Sequence, residues 1–294
     1  LFNFIGFILE YTSRMSIFII TIVLISTFIH ALWNFLIKKS NHPYEYIQLL
    51  AIFSGLIAVP FSIYFIFVED LTYTGIFLSF LSGFIHIFYF YFLGKAYQTG
   101  QLSYVYPISR GTSVALVPII GTLLLNDQIG IYSIFGILIV FFGIFFLSIN
   151  DLLSINKKNI KNVLIPLLIG ATITIYTIVD SIAVTLINPI IMFSISSFFG
   201  GLFSIILFDR RINHFGIIIK KNILFILIIS SMSAIGYPMI LYAYKYSLVS
   251  LVAPLREVST VYAAILGILF LNETYSKTKI LGISLIVIGA ILIT

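Results

Sequence analysis

Along its length the chain alternates long apolar runs with short breaks made of charge, Pro, Asn and Gly. Runs such as Ile17 to Ile29 and Ile134 to Ile149 are apolar on nearly every face. A strand of a membrane barrel alternates in and out over about ten residues, so the pattern predicts helices. A helix needs about 20 apolar residues to cross the hydrocarbon layer. Ten such segments are predicted, at about 15–37, 45–68, 73–94, 102–125, 129–149, 163–186, 190–208, 223–244, 249–271 and 278–294. The tenth has about 17 residues and stops at Thr294, near the minimum length. Arg14 precedes the first run as it would in a signal peptide. That run continues to Ile37 without a short core or a small-residue cleavage site, so it reads as a span. Residues 1–14 look separate, an N-terminal extension before a natural start at Met15.

Composition gives the pattern its solvent. Of 294 residues, 61% are hydrophobic and 9% charged, whereas a soluble domain carries about 25% charged residues. With a mean hydropathy of +1.16, the chain reads as an all-helical polytopic membrane protein. Soluble enzymes, nucleic-acid readers and disordered proteins are excluded. The spans and short loops use up the chain and leave no sizeable water-soluble domain. The absence of cysteine excludes disulfides and thiolate metal sites.

The net charge of +6 becomes informative once it is sorted by loop. Lys38, Lys39, Lys95, Lys157, Lys158, Lys161, Arg210, Arg211, Lys220, Lys221, Lys277 and Lys279 fall on one side of the predicted membrane, twelve against only Arg14 and Lys245 on the other. The positive-inside rule places the twelve in the cytoplasm and both termini outside. Arg110 and Arg256 remain inside spans.

The chain also repeats itself. A shift of 146 pairs Pro43 with Pro189, Arg110 with Arg256, Gly121 with Gly267, Asn126 with Asn272, Asp127 with Glu273, Gly136 with Gly282 and Gly143 with Gly289. A shift of 147 pairs Ala96 and Tyr97 with Ala243 and Tyr244, Ser103 with Ser250, and Pro107 with Pro254. The matches keep their order across a whole half, which divides the chain into repeats at 15–150 and 151–294. Each repeat holds five spans, an odd number, so the second enters the membrane in the opposite sense. The charges agree: Lys38 and Lys39 have no counterpart near Ile187, while the loop at Glu69 and Asp70 lacks the positive charge its counterpart carries. Many secondary transporters build alternating access from such inverted repeats.

Two segments carry a resemblance, AYQTGQLSYVYPISRGTSVALVPIIGTLLLND in the first repeat and AYKYSLVSLVAPLREVSTVYAAILGILFLNE in the second. Together with HALWNFLIKKS at His30 to Ser40 and YTIVD at Tyr176 to Asp180, they resemble the EamA-type branch of the drug/metabolite transporter superfamily, over about residues 15–294. In that family a fourth helix rich in small residues ends in an acid and is followed by a Gly-containing fifth helix. Asp127 with Gly136 and Gly143, and Glu273 with Gly282 and Gly289, repeat that feature. Asn34 stands where many members have Gly. The resemblance implies a secondary carrier of a small polar metabolite, an amino acid or related compound, acting mainly in export. It also implies a bacterial inner membrane, a coupling proton or counter-substrate, and no cofactor. No Gly-rich phosphate loop with Lys and Ser or Thr is found, which argues against ATP-driven pumping.

Charges inside spans cost about 2.5–3.5 kcal/mol each on insertion scales, which singles out Arg110, Asp180, Arg256 and Glu257. At 1.5 Å per residue, Asp180, Arg256 and Glu257 lie at roughly 10 Å below the outer surface, level enough for a network. Arg110 lies at comparable depth from the cytoplasmic face, with Asn34 near it. Two roles stay open. The arginines can anchor a carboxylate or phosphate, for which the guanidinium fork is suited, with Asp180 or Glu257 taking a proton. Alternatively the three outer charges neutralise one another as a lock or gate while Arg110 snorkels. Trp33, Tyr89, Tyr104, Tyr106, Tyr176, Tyr237 and Tyr262 are candidates for a cavity wall, because a buried phenol or indole needs a polar partner. Pro107 and Pro254 either kink a helix start or free carbonyls to line a cavity. His30 and His86 read as interhelical hydrogen-bonding groups, and no metal site is expected at either. The Gly pairs mark faces where the repeats pack closely, in preference to dimerisation. A membrane enzyme or lipid-handling protein would need His, Asp or Glu clustered at one interface, and a noncatalytic scaffold would lack a protected polar cavity.

Overall fold

The computed structural model describes residues 15–98, 102–147, 149, 161–209, 212–271 and 276–294. The chain forms α1 (Ile17–Lys38), α2 (Pro43–Val68), α3 (Tyr73–Gln98), α4 (Leu102–Leu124), α5 (Ile131–Leu147) and α6 (Lys161–Ala183). It continues with α7 (Pro189–Phe208), α8 (Ile212–Tyr246), α9 (Val249–Leu255), α10 (Val258–Leu271) and α11 (Lys277–Ile293). No strand occurs among the described residues. The N-terminal extension at 1–14, Lys157, Lys158, Arg210, Arg211, Asn272 and Glu273 lie outside the described residues, as do the side chains of Tyr104, Tyr106 and Pro107.

Local chemistry explains where the helices start and stop. Pro43 and Pro189 occupy the first turn of α2 and α7, where a missing N–H leaves no bond unmade. The side chains of Ser16, Asn188 and Ser276 accept backbone N–H bonds from Ile19, Ile190 and Lys279 at 3.3, 2.9 and 3.1 Å, capping α1, α7 and α11. Asn126 ends the α4 segment in the left-handed region at φ 58°. Its neighbour Asp127 accepts the Ser250 N–H at 3.0 Å and so caps α9, an element of the other half.

The expected spans are met in part, and one of them is divided. Among the described residues, seven spans are long and apolar enough to cross a membrane, with Ile108–Leu124 and Ile131–Leu147 as shorter apolar helices. The expected ninth span is also divided, as α9 and α10. Pro254 has no N–H to donate, and the bonds from Glu257, Ser259 and Thr260 reach back three residues, to Pro254, Arg256 and Glu257. This tightened turn carries the two charges. A second departure from helical geometry, at Asn222 (φ −132°), falls where the eighth run was expected to begin.

Burial is the reverse of a soluble protein. Large apolar side chains such as Ile17, Phe67 and Tyr73 are exposed, whereas Arg110, Asp180, Arg256 and Glu257 and many serines are buried. The chain is an integral membrane protein. Lipid is as apolar as Leu, so helices associate through close packing and polar contacts. The most extensive contacts join the two halves: α5 with α11, α2 with α7, α3 with α7, α4 with α6, and α1 with α8. Exchanging the halves returns the largest contacts, since α3–α7 maps onto α8–α2, α4–α6 onto α10–α1, and α1–α8 onto α6–α3. The two pairs that map onto themselves meet at glycine. A Cβ on Gly136 would stand 2.7 Å from the Gly289 carbonyl oxygen, and one on Gly289 2.6 Å from that of Gly136. Gly55 and Gly201, also 146 apart, press α2 and α7 onto each other's backbone.

Candidate functional site

The helices enclose a cavity of about 70 Å³ between the halves. All of them except α5, α9 and α11 contribute to its wall, as does Arg256 at the α9–α10 break. At about 10–15 Å³ per water centre, it holds only a few waters. Trp33, Tyr89, Tyr176 and Tyr237 line it, as do both buried arginines. Tyr262 does not; it meets Phe28 edge to face at 5.4 Å. The side chain of Asn34 donates to the His30 carbonyl of its own helix at 2.8 Å.

The charged groups form two networks rather than the single outer one expected. Arg110 on α4 donates to Glu257 Oε1 at 3.1 Å, with the two side chains 6% and 2% exposed. The depth estimate kept these residues apart, but their side chains reach toward each other across the midplane. Arg110 also donates to His30 Nε2 at 2.9 Å. A guanidinium only donates, so this nitrogen is the accepting one. Glu257 Oε2 is buried with no hydrogen-bond partner among the described residues.

Asp180, fully buried on α6, belongs to the second network. Ser82 donates to its Oδ1 at 2.5 Å and Tyr237 to its Oδ2 at 2.6 Å. Two hydroxyls therefore satisfy a carboxylate that would otherwise be an isolated buried acid. His86 Nδ1 lies 2.9 Å from the Ser82 carbonyl and so carries its proton there. The same nitrogen is 3.2 Å from Ser82 Oγ, extending the chain His86, Ser82, Asp180, Tyr237. The His86 ring stacks on Tyr176 at 4.2 Å. Hydrogen bonding is thus the role of both histidines, across helices for His30 and within α3 for His86.

Arg256 takes a third position. It donates to Tyr244 Oη at 2.7 Å, and its guanidinium carbon lies 5.5 and 6.0 Å from the Tyr237 and Tyr244 ring centroids. No carboxylate pairs with it among the described residues, although it is 8% exposed and lines the cavity. Ser82 and Tyr244 were not candidates from sequence. The four-residue spacing of Ser82 and His86, one helical face, was the available signal.

A second, larger space of about 820 Å³ opens between α1, α2, α7 and α8. Phe18, Ile57, Phe61, Ala234 and Ile235 line it, and Glu69, Asn188 and Lys245 lie at one end. Asn188 donates to Glu69 there at 2.8 Å.

Comparison with known proteins gives the fold a context. The EamA-like transporter family matches residues 160–294. No curated protein matches. A solved structure titled "Crystal structure of protein" is similar with a TM-score of 0.70 at 13% identity, over 92% of this chain and 97% of that one. The overall architecture is therefore shared with a known fold.

Proposed function

We propose, from the match of residues 160–294 to the EamA-like transporter family, that this membrane protein is a secondary carrier of a small polar anion-bearing metabolite. An amino acid or related compound moved outward is the substrate class we favour. The carrier works by alternating access between two inverted five-helix repeats. The largest contacts, which recur when the halves are exchanged, support the repeat. The twelve-to-two distribution of positive charge supports the inversion and puts both termini outside.

One observation carries the reading of the substrate: Arg256 is a buried cation on the cavity wall that donates to Tyr244 and, among the described residues, makes no ion pair with a carboxylate. A guanidinium is always charged, and an unpaired buried charge is costly. A carboxylate or phosphate entering the cavity supplies the missing partner in the fork geometry that Arg suits. The break between α9 and α10 supports this assignment, because discontinuous helices hold the substrate sites of many carriers. Arg110 and Glu257 act instead as a gate, a buried ion pair joining α4 to the broken helix of the other half. Asp180, shared between Ser82 and Tyr237, is the residue we assign to proton or counter-substrate coupling.

The narrow cavity is expected to widen as substrate loads. The test is uptake of candidate metabolites into liposomes carrying the purified protein, chosen from those that cells release differently with and without it. Arg256→Gln is expected to reduce uptake of the carboxylate-bearing substrate at least about tenfold, as loss of one charged contact does. Full uptake by this variant would remove the anion from the proposal.

A further inference from the structure

We propose that His42, Glu45 and His214 bind a divalent transition-metal ion, with Zn²⁺ the best fit, and that this ion clasps α2 to α8. One ligand atom from each residue lies within 4.8 Å of the others. His214 Nε2 is already 3.2 Å from Glu45 Oε1. Ligand atoms about 2.0–2.2 Å from zinc in tetrahedral geometry are roughly 3.3 Å apart, so this edge of the site is formed. The His42 and His214 rings are centred 6.0 Å apart, and His42 stands at the helix N-cap without making a capping bond. A rotation of its side chain closes the remaining gap.

The donor set selects the ion. Two imidazoles and one carboxylate suit zinc and its neighbours, whereas magnesium and calcium require oxygen ligands. Lys38 and Lys39 end α1 just before His42, so direct coordination by nitrogen, rather than a surrounding negative field, must hold the cation. Glu45 is buried in the first turn of α2, with Oε1 turned toward His214. A fourth position is left to water. The residues come from the two halves of the chain, which is why no ligand spacing exists in the sequence. The clasp joins the N-terminal ends of α2 and α8, while the 820 Å³ groove parts their C-terminal halves. It does not depend on what the carrier transports.

The test uses purified full-length protein with any His tag removed, and Zn²⁺ and Co²⁺ as probes. One zinc per chain is expected by calorimetry, with a visible Co²⁺ absorption band of tetrahedral intensity and a rise in unfolding temperature on adding zinc. His42→Ala and Glu45→Gln should each weaken zinc binding at least about tenfold and abolish the thermal shift. His42 is only half-buried and His42→Ala should fold, with an unchanged unfolding temperature without metal. Absence of zinc binding at 100-micromolar concentration (about 5.4 kcal/mol of binding energy at that Kd), or equal binding by the His42→Ala variant, would overturn the proposal and leave a plain His214–Glu45 contact.

Discussion

The Arg110–Glu257 ion pair is tested by breaking it from one side. Glu257→Gln removes the carboxylate that pairs with the buried Arg110. Removing one partner of such a pair costs about 3–5 kcal/mol, so a large fall in unfolding temperature in detergent is expected. The double variant Arg110→Gln, Glu257→Gln should recover much of that loss, because two amides can bond to each other. Additive losses in the double-mutant cycle would mean that the two residues are not coupled. Asp180→Asn places an amide where two hydroxyls donate. It is expected to abolish transport while the protein still accumulates in the membrane, and unchanged transport would remove Asp180 from the mechanism. The identities of these residues were legible because charge inside an apolar run is conspicuous. Their partners were not, since counting residues along a helix gives height but not direction. Height alone put Glu257 with Arg256 and Asp180, whereas its ion-pair partner is Arg110.

At the scale of the helix, position along the chain was read to within a few residues, except that α8 starts at Ile212 and not at 223, and the division of the ninth run was not read. Pro254 stood at the right place, yet a proline there is equally compatible with an ordinary kink; the tightened bonds at Glu257, Ser259 and Thr260 exist only in three dimensions. The glycines were more informative, since seven-residue spacing on one face already implied close approach. Gly143→Ala would set a methyl 2.9 Å from the Ile286 nitrogen on α11. Overpacking of this kind costs about 1–3 kcal/mol. Gly216→Ala on α8, where a Cβ meets nothing within 4 Å, should instead be neutral or stabilising by up to about 1 kcal/mol, through helix propensity. Comparing unfolding temperatures of the two variants checks both; equal destabilisation would mean that glycine matters through chain flexibility rather than contact. The role of Asp127 was hidden for a different reason. Its position at the end of α4 was visible, but the helix it caps belongs to the other half.

For the whole molecule, the parted ends of α2 and α8 give alternating access a direction to test. The protein has no cysteine of its own, so Ile57→Cys and Ala234→Cys report the groove without interference. Both are expected to react with a membrane-impermeant thiol reagent from the face opposite the Lys-rich loops, and a transported solute should change the rate. Labelling only from the Lys-rich face would reverse the orientation. The ordered internal matches suggested two repeats and the glycine pairs their close packing, but which helices meet in that embrace was not legible, because similarity within a sequence does not say which elements touch. That embrace has a consequence for synthesis. The largest contacts of α2, α3, α4 and α5 are with α7, α6 and α11, so the first five helices must enter the bilayer before their neighbours exist. Until the second half emerges from the ribosome, Asp127 has no helix end to cap and Gly136 and Gly143 face lipid. A ribosome stalled midway would therefore leave the first half exposed to membrane quality control, since its largest contacts form only once α6, α7 and α11 are made.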